Sequence, residues 1–439
     1  MTRILIPSGA LGLGYDQTAL DRGIAAKPDL IAIDGGSTDS GPSYLGRGVS
    51  KYTRASTKVE WAGLIRARAA AGCPLVIGTA GTCGTDSTVD WLVDITREVL
   101  AEENMAATIA TLKSEQAQVG DITPLPGAPD VDAATIAQCT HVVALAGAEQ
   151  IQAALGTGAD IIIAGRTTDT AIIAALPLQN GDDPGGAWHG AKIGECGALC
   201  ATNPQSGVIL VDFDAQGFTV TPLADGAHAT PHTVSAHMLY ENSDPFILHE
   251  PGGHLDVTAA RYAALDDTRV RVEGAKWVPA ASYTVKLEGA RVVGYQTIIM
   301  ATIRDAHYVA NVQAWCDDIA AKHAIKVADR LGDVAHTTEL RIIGQSATLG
   351  DLETRQTTPH EVGVMGIVTA ADQDTARAIA MLLNPYLLHH PLTRGEEQPT
   401  FSFPFSPAET DRGAVYGFAL HHVMELHDPM AAFRLEVLQ

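Results

Sequence analysis

The sequence predicts a parallel α/β domain followed by an α+β domain, and three observations carry that expectation. Short apolar runs alternate with helical patterns through about the first 200 residues. Several of those runs end in loops rich in glycine and hydroxyl side chains. From about residue 206 the texture changes to longer strands such as GVILVDFD and SYTVKLEGARVVGYQTIIMATIRD. Strands separated by helices of ten or more residues imply right-handed crossovers and a mostly parallel sheet.

Taken in order, RILIP reads as a first strand, and a glycine-rich turn leads from it to the helical DQTALDRGIAAK. The apolar DLIAID runs into DGGSTDSGPSYLG, and CPLVIG runs into TAGTCGTD. In STVDWLVDITREVLAEEN, Val89, Leu92, Val93, Val99 and Leu100 share one helical face, and Ser87 with Asp90 resembles a capping box at its start. HVVALAG reads as a further strand, AEQIQAAL as a helix stopping at Gly156, and DIIIAG as a strand that leads into RTTD. The change of texture near TNPQSG sets the expected boundary between an α/β domain over residues 1–205 and an α+β domain over 206–439. In the latter, EVGVMGIVTAADQDTARAIAMLLNPYLLHH reads as strand, helix and return.

Composition narrows the function. The chain has 439 residues, with Lys+Arg 29 against Asp+Glu 51 and a net charge of −22, and no dense basic cluster. Nucleic acid and anionic membrane surfaces are thereby disfavoured as partners. No apolar run approaches the roughly 20 residues needed to span a bilayer, and the N-terminal apolar run, closed by Pro7, is too short for a secretory signal. Six cysteines scattered without zinc-like spacing fit reduced thiols in a cytoplasm.

In an open parallel sheet, ligands bind beyond the carboxyl ends of the strands, where all these polar loops fall. Arg166, directly after a buried-looking strand, suits a bidentate clamp on a carboxylate, with Thr167 and Thr168 completing the hydrogen bonding. Its alternative partner is Asp169. The carboxylates Asp34, Asp39 and Asp169 suit either an acid–base pair or a shared hard cation such as Mg²⁺, and the sequence leaves that choice open. Gly35, Gly36, Ser37, Thr38 and Gly81 offer amides and hydroxyls to an anion. Cys83, inside the TAGTCGTD loop, is expected as a small packed thiol. Glu195, flanked by glycines in GECG, can approach a ligand closely. In VSAHMLYENSDP a helix would set His237, Tyr240 and Glu241 on one face, with Asp244 extending the row. The H-E-x-x-H zinc pattern is absent.

Five blocks in order, DGGSTDSGPSYLG, GADIIIAGRTTDTA, GECGA, TVSAHMLYENSDP and FPFSPAETDRGAVYGFALHHVMELHDPMAAFR, resemble the acyclic terpene utilisation (AtuA-like) family. The resemblance implies breakdown of branched terpenoid acids or other small carboxylates. Two blocks depart from the family pattern: LCATN stands where relatives continue with paired glycines, and YENSDP where they show YEIGDP. Together the residues and the resemblance lead to an expected catabolic lyase, a hydratase or dehydratase, acting on a small branched or multiply carboxylated acid, free or as a coenzyme A thioester. Arg166 would be the clamp, Asp39 and Asp169 would transfer protons, and Glu195 and His237 would stand in reserve. The alternatives are a hydrolase or a non-catalytic ligand-binding subunit of a two-component complex. A homo-oligomer, with or without a small partner subunit, is the expected assembly.

Overall fold

The computed structural model describes residues 1–37, 40–116, 119–355, 357–396 and 401–438. The chain forms two compact units, one comprising Met1–Arg291 with Phe418–Gln439 and the other Val292–Gly417.

The first unit begins β1 (Thr2–Ile6), α1 (Gln17–Ala25), β2 (Leu30–Asp34), α2 (Ser43–Arg47), α3 (Arg54–Ala71), β3 (Leu75–Gly78), α4 (Asp86–Glu102) and β4 (Ile109–Lys113). It continues with β5 (Ile122–Pro124), α5 (Ala133–Ala137), β6 (His141–Ala144), α6 (Ala148–Leu155), β7 (Ile161–Ala164), α7 (Ala171–Asn180) and α8 (Pro184–Gly194). Next come β8 (Ile209–Asp214), β9 (Gly217–Pro222), α9 (Pro231–Ala236), β10 (Ile247–Glu250), β11 (Gly253–Asp256), β12 (Arg261–Ala264), β13 (Val270–Glu273) and β14 (Lys276–Pro279). The long strand β15 (Tyr283–Ile303) leads into the second unit, which holds α10 (Ala306–Ala310), α11 (Val312–Leu331), β16 (His336–Ile343), β17 (Val362–Ala370) and α12 (Gln373–His389). A second long strand, β18 (Glu409–Leu426), returns to the first unit, where β19 (Arg434–Leu438) closes the chain.

A ten-stranded sheet in the order β12-β13-β9-β8-β1-β2-β3-β7-β4-β19 organises the first unit. Its centre, β1-β2-β3-β7-β4, is parallel. Antiparallel strands flank that centre, β8 on β1 and β19 on β4. Side chains alternate cleanly between the faces, as the period of two requires. Ile4, Ile6, Ala32, Val76 and Ile162 join Ile151, Ile172 and Trp188 of α6, α7 and α8 in one apolar core. Leu5, Ile31, Ile33, Ile77 and Ile163 join Leu20, Trp61 and Leu92 of α1, α3 and α4 in the other. Strands buried on both faces read as continuous apolar runs, which is why DLIAI and DIIIA were legible. All five apolar positions expected on one face of α4 are buried.

In the second unit, the C-terminal half of β15 pairs antiparallel with β17, and β17 with β16. Ile299, Ala301, Val364, Val368 and Ile342 pack under α11 and α12 through Trp315, Ile319, Ile379 and Leu383. The opposite face carries the cross-strand pairs Ile298 with Ile367 and Met300 with Met365, all half-buried.

Three expectations change. The division into compact units falls at 291/292 and 417/418 rather than at 205/206, because β8 and β9 extend the central sheet through β1. HVVA is not a strand of the parallel sheet: β6 pairs antiparallel with Leu287–Ala290 of β15. Its expected place is taken by β4, IATLK, whose threonine and lysine interrupt the apolar run. The anticipated capping box at Ser87 does not form either, since the N-cap of α4 is Thr85 and the Ser87 hydroxyl donates to the Gly48 carbonyl at 3.3 Å.

Candidate functional site

The connection after β3 leads to α4 on one face of the sheet, and that after β7 leads to α7 on the other. Neighbouring strands whose connections part in this way leave a crevice at their carboxyl ends. Three strand-end loops interlock there. The Gly35 amide donates to the Gly78 carbonyl at 2.8 Å, the Thr79 amide to Gly165 at 2.8 Å, and the Arg166 amide to Gly84 at 3.1 Å. Small residues are obligatory at these crossings. A Cβ on Gly35 would lie 2.4 Å from the Thr79 carbonyl oxygen, and one on Gly84, at φ +65°, would lie 2.3 Å from the Arg166 nitrogen. Thr79 at φ 46° and Thr82 at φ 76° hold left-handed backbone that a β-branched residue rarely tolerates. Strain of this kind persists only where surrounding contacts impose it, and it concentrates at functional sites.

Above these loops lies a cavity of 330 Å³ lined by Ser8, Asp34, Ser37, Asp169, Cys196 and Glu241 among others, all of the first unit. Among the described lining residues there is no lysine, arginine or histidine. Asp34, the last residue of β2, is 5% exposed. Its Oδ1 accepts from the Gly35 amide at 2.8 Å, and the Gly36 amide also serves the carboxyl group. Burial pushes its pKa well above the ordinary carboxylate range, and the neighbouring Asp169 pushes it further, against a weaker opposing pull from Arg166.

Arg166 sits behind these two acids. Its Nε donates to Glu288 Oε2 at 3.0 Å, and its Nη1 donates to Thr79 Oγ1 at 3.2 Å and stands 3.9 Å from Asp169 Oδ1. Burial opposes the guanidinium's charge, but Glu288 and Asp169 more than offset it and raise its pKa. Glu288 is held down at about 2 despite its burial, by Arg166 and by Lys286, whose Nζ donates to Oε1 at 2.7 Å.

A second polar group adjoins the cavity. Helix α8, PGGAWHGAKIG, is buried from Gly185 to Gly194, its small residues allowing close packing all round. It carries one cation, Lys192, which is ion-paired with Glu195 at the helix C-cap. Burial pushes Glu195 up to about 8, with Lys192 opposing and Asp169 adding. Cys196 follows on the cavity wall, its thiol pushed up by burial and by Glu195. His237, 5% exposed, stacks on Tyr240 with ring centroids 5.5 Å apart, and burial lowers it to about 4. Glu250, at the end of β10, accepts from the Thr170 hydroxyl, and burial raises it to about 7. It lines a separate cavity of 550 Å³ with Thr168, Leu145, His254, Lys286 and Val423.

The expected residues therefore fall into groups. Asp34, Gly36, Ser37 and Asp169 line the small cavity together. Asp39 and Thr38 lie outside the described residues. Arg166 and Thr167 are buried beneath the site, with Arg166 engaged by Glu288 instead of lining the cavity. Thr168 faces the larger cavity. The Gly35 and Gly36 amides serve Asp34, so they do not stand as the expected anion cradle. Gly81, at φ +65°, shapes the turn against Thr88. Cys83 is fully buried against Leu45 and Val143, as a packed thiol should be. The helical face expected for His237, Tyr240 and Glu241 is replaced by a 3₁₀ turn at His237–Leu239, an extended Tyr240 and a left-handed Glu241 at φ 57°. Asp244 instead caps the amides of Phe246 and Ile247. Lys192, Glu250 and Glu288 were missed. Only Lys192 carried a signal, as the lone charge in a glycine- and alanine-rich helix.

No curated protein and no solved structure matches the chain. No described helix is long and apolar enough to cross a membrane. A family model does match residues 71–403, a span that includes the strand-end loops after β3 and β7, Lys192 to Cys196, His237 and Glu288. With well over half its length matched, the chain belongs to the family of acyclic terpene utilisation protein AtuA.

Proposed function

We propose that the chain is a cytoplasmic catabolic enzyme that adds or removes water on a small branched or multiply carboxylated acid, a hydro-lyase with Asp34 and Asp169 as its acid–base pair. The observation that carries this reading is the pairing of a buried, pKa-raised Asp34 with Asp169 in one cavity, next to a guanidinium 3.9 Å from Asp169. Two carboxyl groups whose environments separate their protonation states can serve as acid and base in one step. Asp169, with the Arg166 guanidinium 3.9 Å away, removes the carbon-bound proton. Asp34, protonated, gives its proton to the departing hydroxyl, which leaves as water while the C=C bond forms. Arg166 is a positioning residue in this scheme. It sets Asp169 and draws its own rigidity from Glu288 and Thr79.

The acidic lining favours one form of substrate. A free carboxylate at the reacting end would meet Asp34, Asp169 and Glu241 with no described lysine or arginine on the wall. A coenzyme A thioester presents a neutral carbonyl there instead. A panel of branched hydroxy- and unsaturated acids, free and as thioesters, tests the proposal with the purified chain. Turnover of a thioester well above that of its free acid is expected. Absence of turnover across the panel, with and without added divalent metal, would overturn it and favour a ligand-binding subunit.

The chain is further proposed to form homo-oligomers. The half-buried Ile298, Met300, Met365 and Ile367 face of the second unit supports this.

A further inference from the structure

We propose that Glu195, Cys196 and His237 form a binding site for a divalent transition-metal ion of the zinc class. One ligand atom from each, a carboxylate oxygen, the thiol sulfur and an imidazole nitrogen, lies within 4.8 Å of the others. The three come from two distant stretches of chain: Glu195 and Cys196 from the end of α8, and His237 from the turn after α9. His237 is 95% buried, the complement of its 5% exposure, and its Nε2 has no hydrogen-bond partner among the described residues. An imidazole nitrogen taken from water without a partner is costly, so its presence points to a group that fills the position.

The donor set selects the ion. Thiolate with imidazole suits zinc and its first-row neighbours, whereas Mg²⁺ and Ca²⁺ prefer oxygen alone. Bonds of about 2.0–2.3 Å in a tetrahedron place ligand atoms roughly 3.5 Å apart, so small side-chain rotations inward complete the site. Lys192 pairs with Glu195 Oε1, and the carboxylate has a second oxygen to offer. Lys192 then orients the ligand from outside the site, as second-shell partners do. Binding replaces the thiol proton, which passes to solvent, with a sulfur–metal bond. Three protein ligands leave a fourth position for water or another ligand, and Cys196 itself lines the 330 Å³ cavity. A Cys–His–carboxylate nucleophile, the competing arrangement, requires the imidazole hydrogen-bonded to the thiol, and no such bond is present among the described residues.

The site is independent of the reaction assigned to Asp34 and Asp169, and its test reads the metal directly. Chelator-stripped full-length protein is titrated with Co²⁺ and followed by absorption. One equivalent is expected, with a near-ultraviolet sulfur-to-cobalt charge-transfer band and visible bands of four-coordinate cobalt. Cys196→Ser should abolish the charge-transfer band, His237→Ala should weaken binding by more than about ten-fold, and Cys200→Ser should leave both unchanged. In the wild-type chain, saturating Zn²⁺ should slow alkylation of Cys196 by iodoacetamide, located by peptide mass spectrometry. No stoichiometric band, a band that survives Cys196→Ser, or alkylation of Cys196 unaffected by Zn²⁺ would overturn the proposal.

Discussion

Arg166 keeps its charge inside the first unit because Glu288 meets it at 3.0 Å and Lys286 balances Glu288 from the other side. Breaking such a buried pair leaves an uncompensated ion. Arg166→Met is therefore expected to destabilise by roughly 3–5 kcal/mol. The double replacement Arg166→Met with Glu288→Leu should cost clearly less than the sum of the two single changes in urea unfolding. Additive costs would mean that the pair is not coupled. Glu250 supplies a pH test. Its carboxyl group, raised to about 7 by burial and by Asp169, lies near Lys192 and Glu195 as well. A carboxyl group with a raised folded-state pKa favours folding while protonated, and that contribution fades as pH rises from the ordinary glutamate value through about 7. Thermal midpoints should fall between about pH 5 and 8, and Glu250→Gln should flatten the decline by on the order of 2 kcal/mol. An unchanged profile in Glu250→Gln would contradict the assignment. At this scale the strand-end positions were legible in the sequence, Asp34 as the last residue of one apolar run and Asp169 in the polar loop after another. The sequence concealed Glu288, which alternates with Lys286 like a pair on any solvated strand face and is buried only through nonlocal contact with β6 and Arg166.

Among the elements, the loop after β3 is the most constrained, since it touches the loops after both β2 and β7. Gly84→Ala combines a left-handed φ with a 2.3 Å collision against backbone, which no rotamer change relieves. A loss of roughly 2–4 kcal/mol is expected, together with loss of turnover. The same change at Gly72, a left-handed helix cap where an added Cβ would meet no described atom within 4 Å, should cost only about 1 kcal/mol. Comparable thermal shifts for the two variants would contradict the interlocking described above. Helices with strong local periodicity, α4 and α6, were legible almost to the residue. Strand partners were not. HVVA and IATLK differ little in local propensity, and which of them enters the parallel sheet is decided by packing beside β7.

For the whole molecule, a net charge of −22 on 46.0 kDa makes any self-association sensitive to salt. Sedimentation at micromolar concentration should show a species larger than 46.0 kDa, and Met365→Lys, set in the half-buried sheet face, should shift it toward the monomer. A monomer throughout would remove the oligomer from the proposal. The sequence revealed the α/β character of the first half but not the extent of the first unit, because β8, β9 and β19 reach the sheet by antiparallel pairing that no local pattern announces. The division of labour between Asp34 and Asp169 is tested most directly by hydrogen exchange. A turned-over hydroxyacyl thioester is incubated in D₂O with the wild-type chain, Asp34→Asn or Asp169→Asn, and both incorporation of deuterium at the reacting carbon and loss of water are measured. Asp34→Asn is expected to retain the exchange while losing dehydration, and Asp169→Asn to lose both. Dehydration at the wild-type rate in either variant would contradict the assignment.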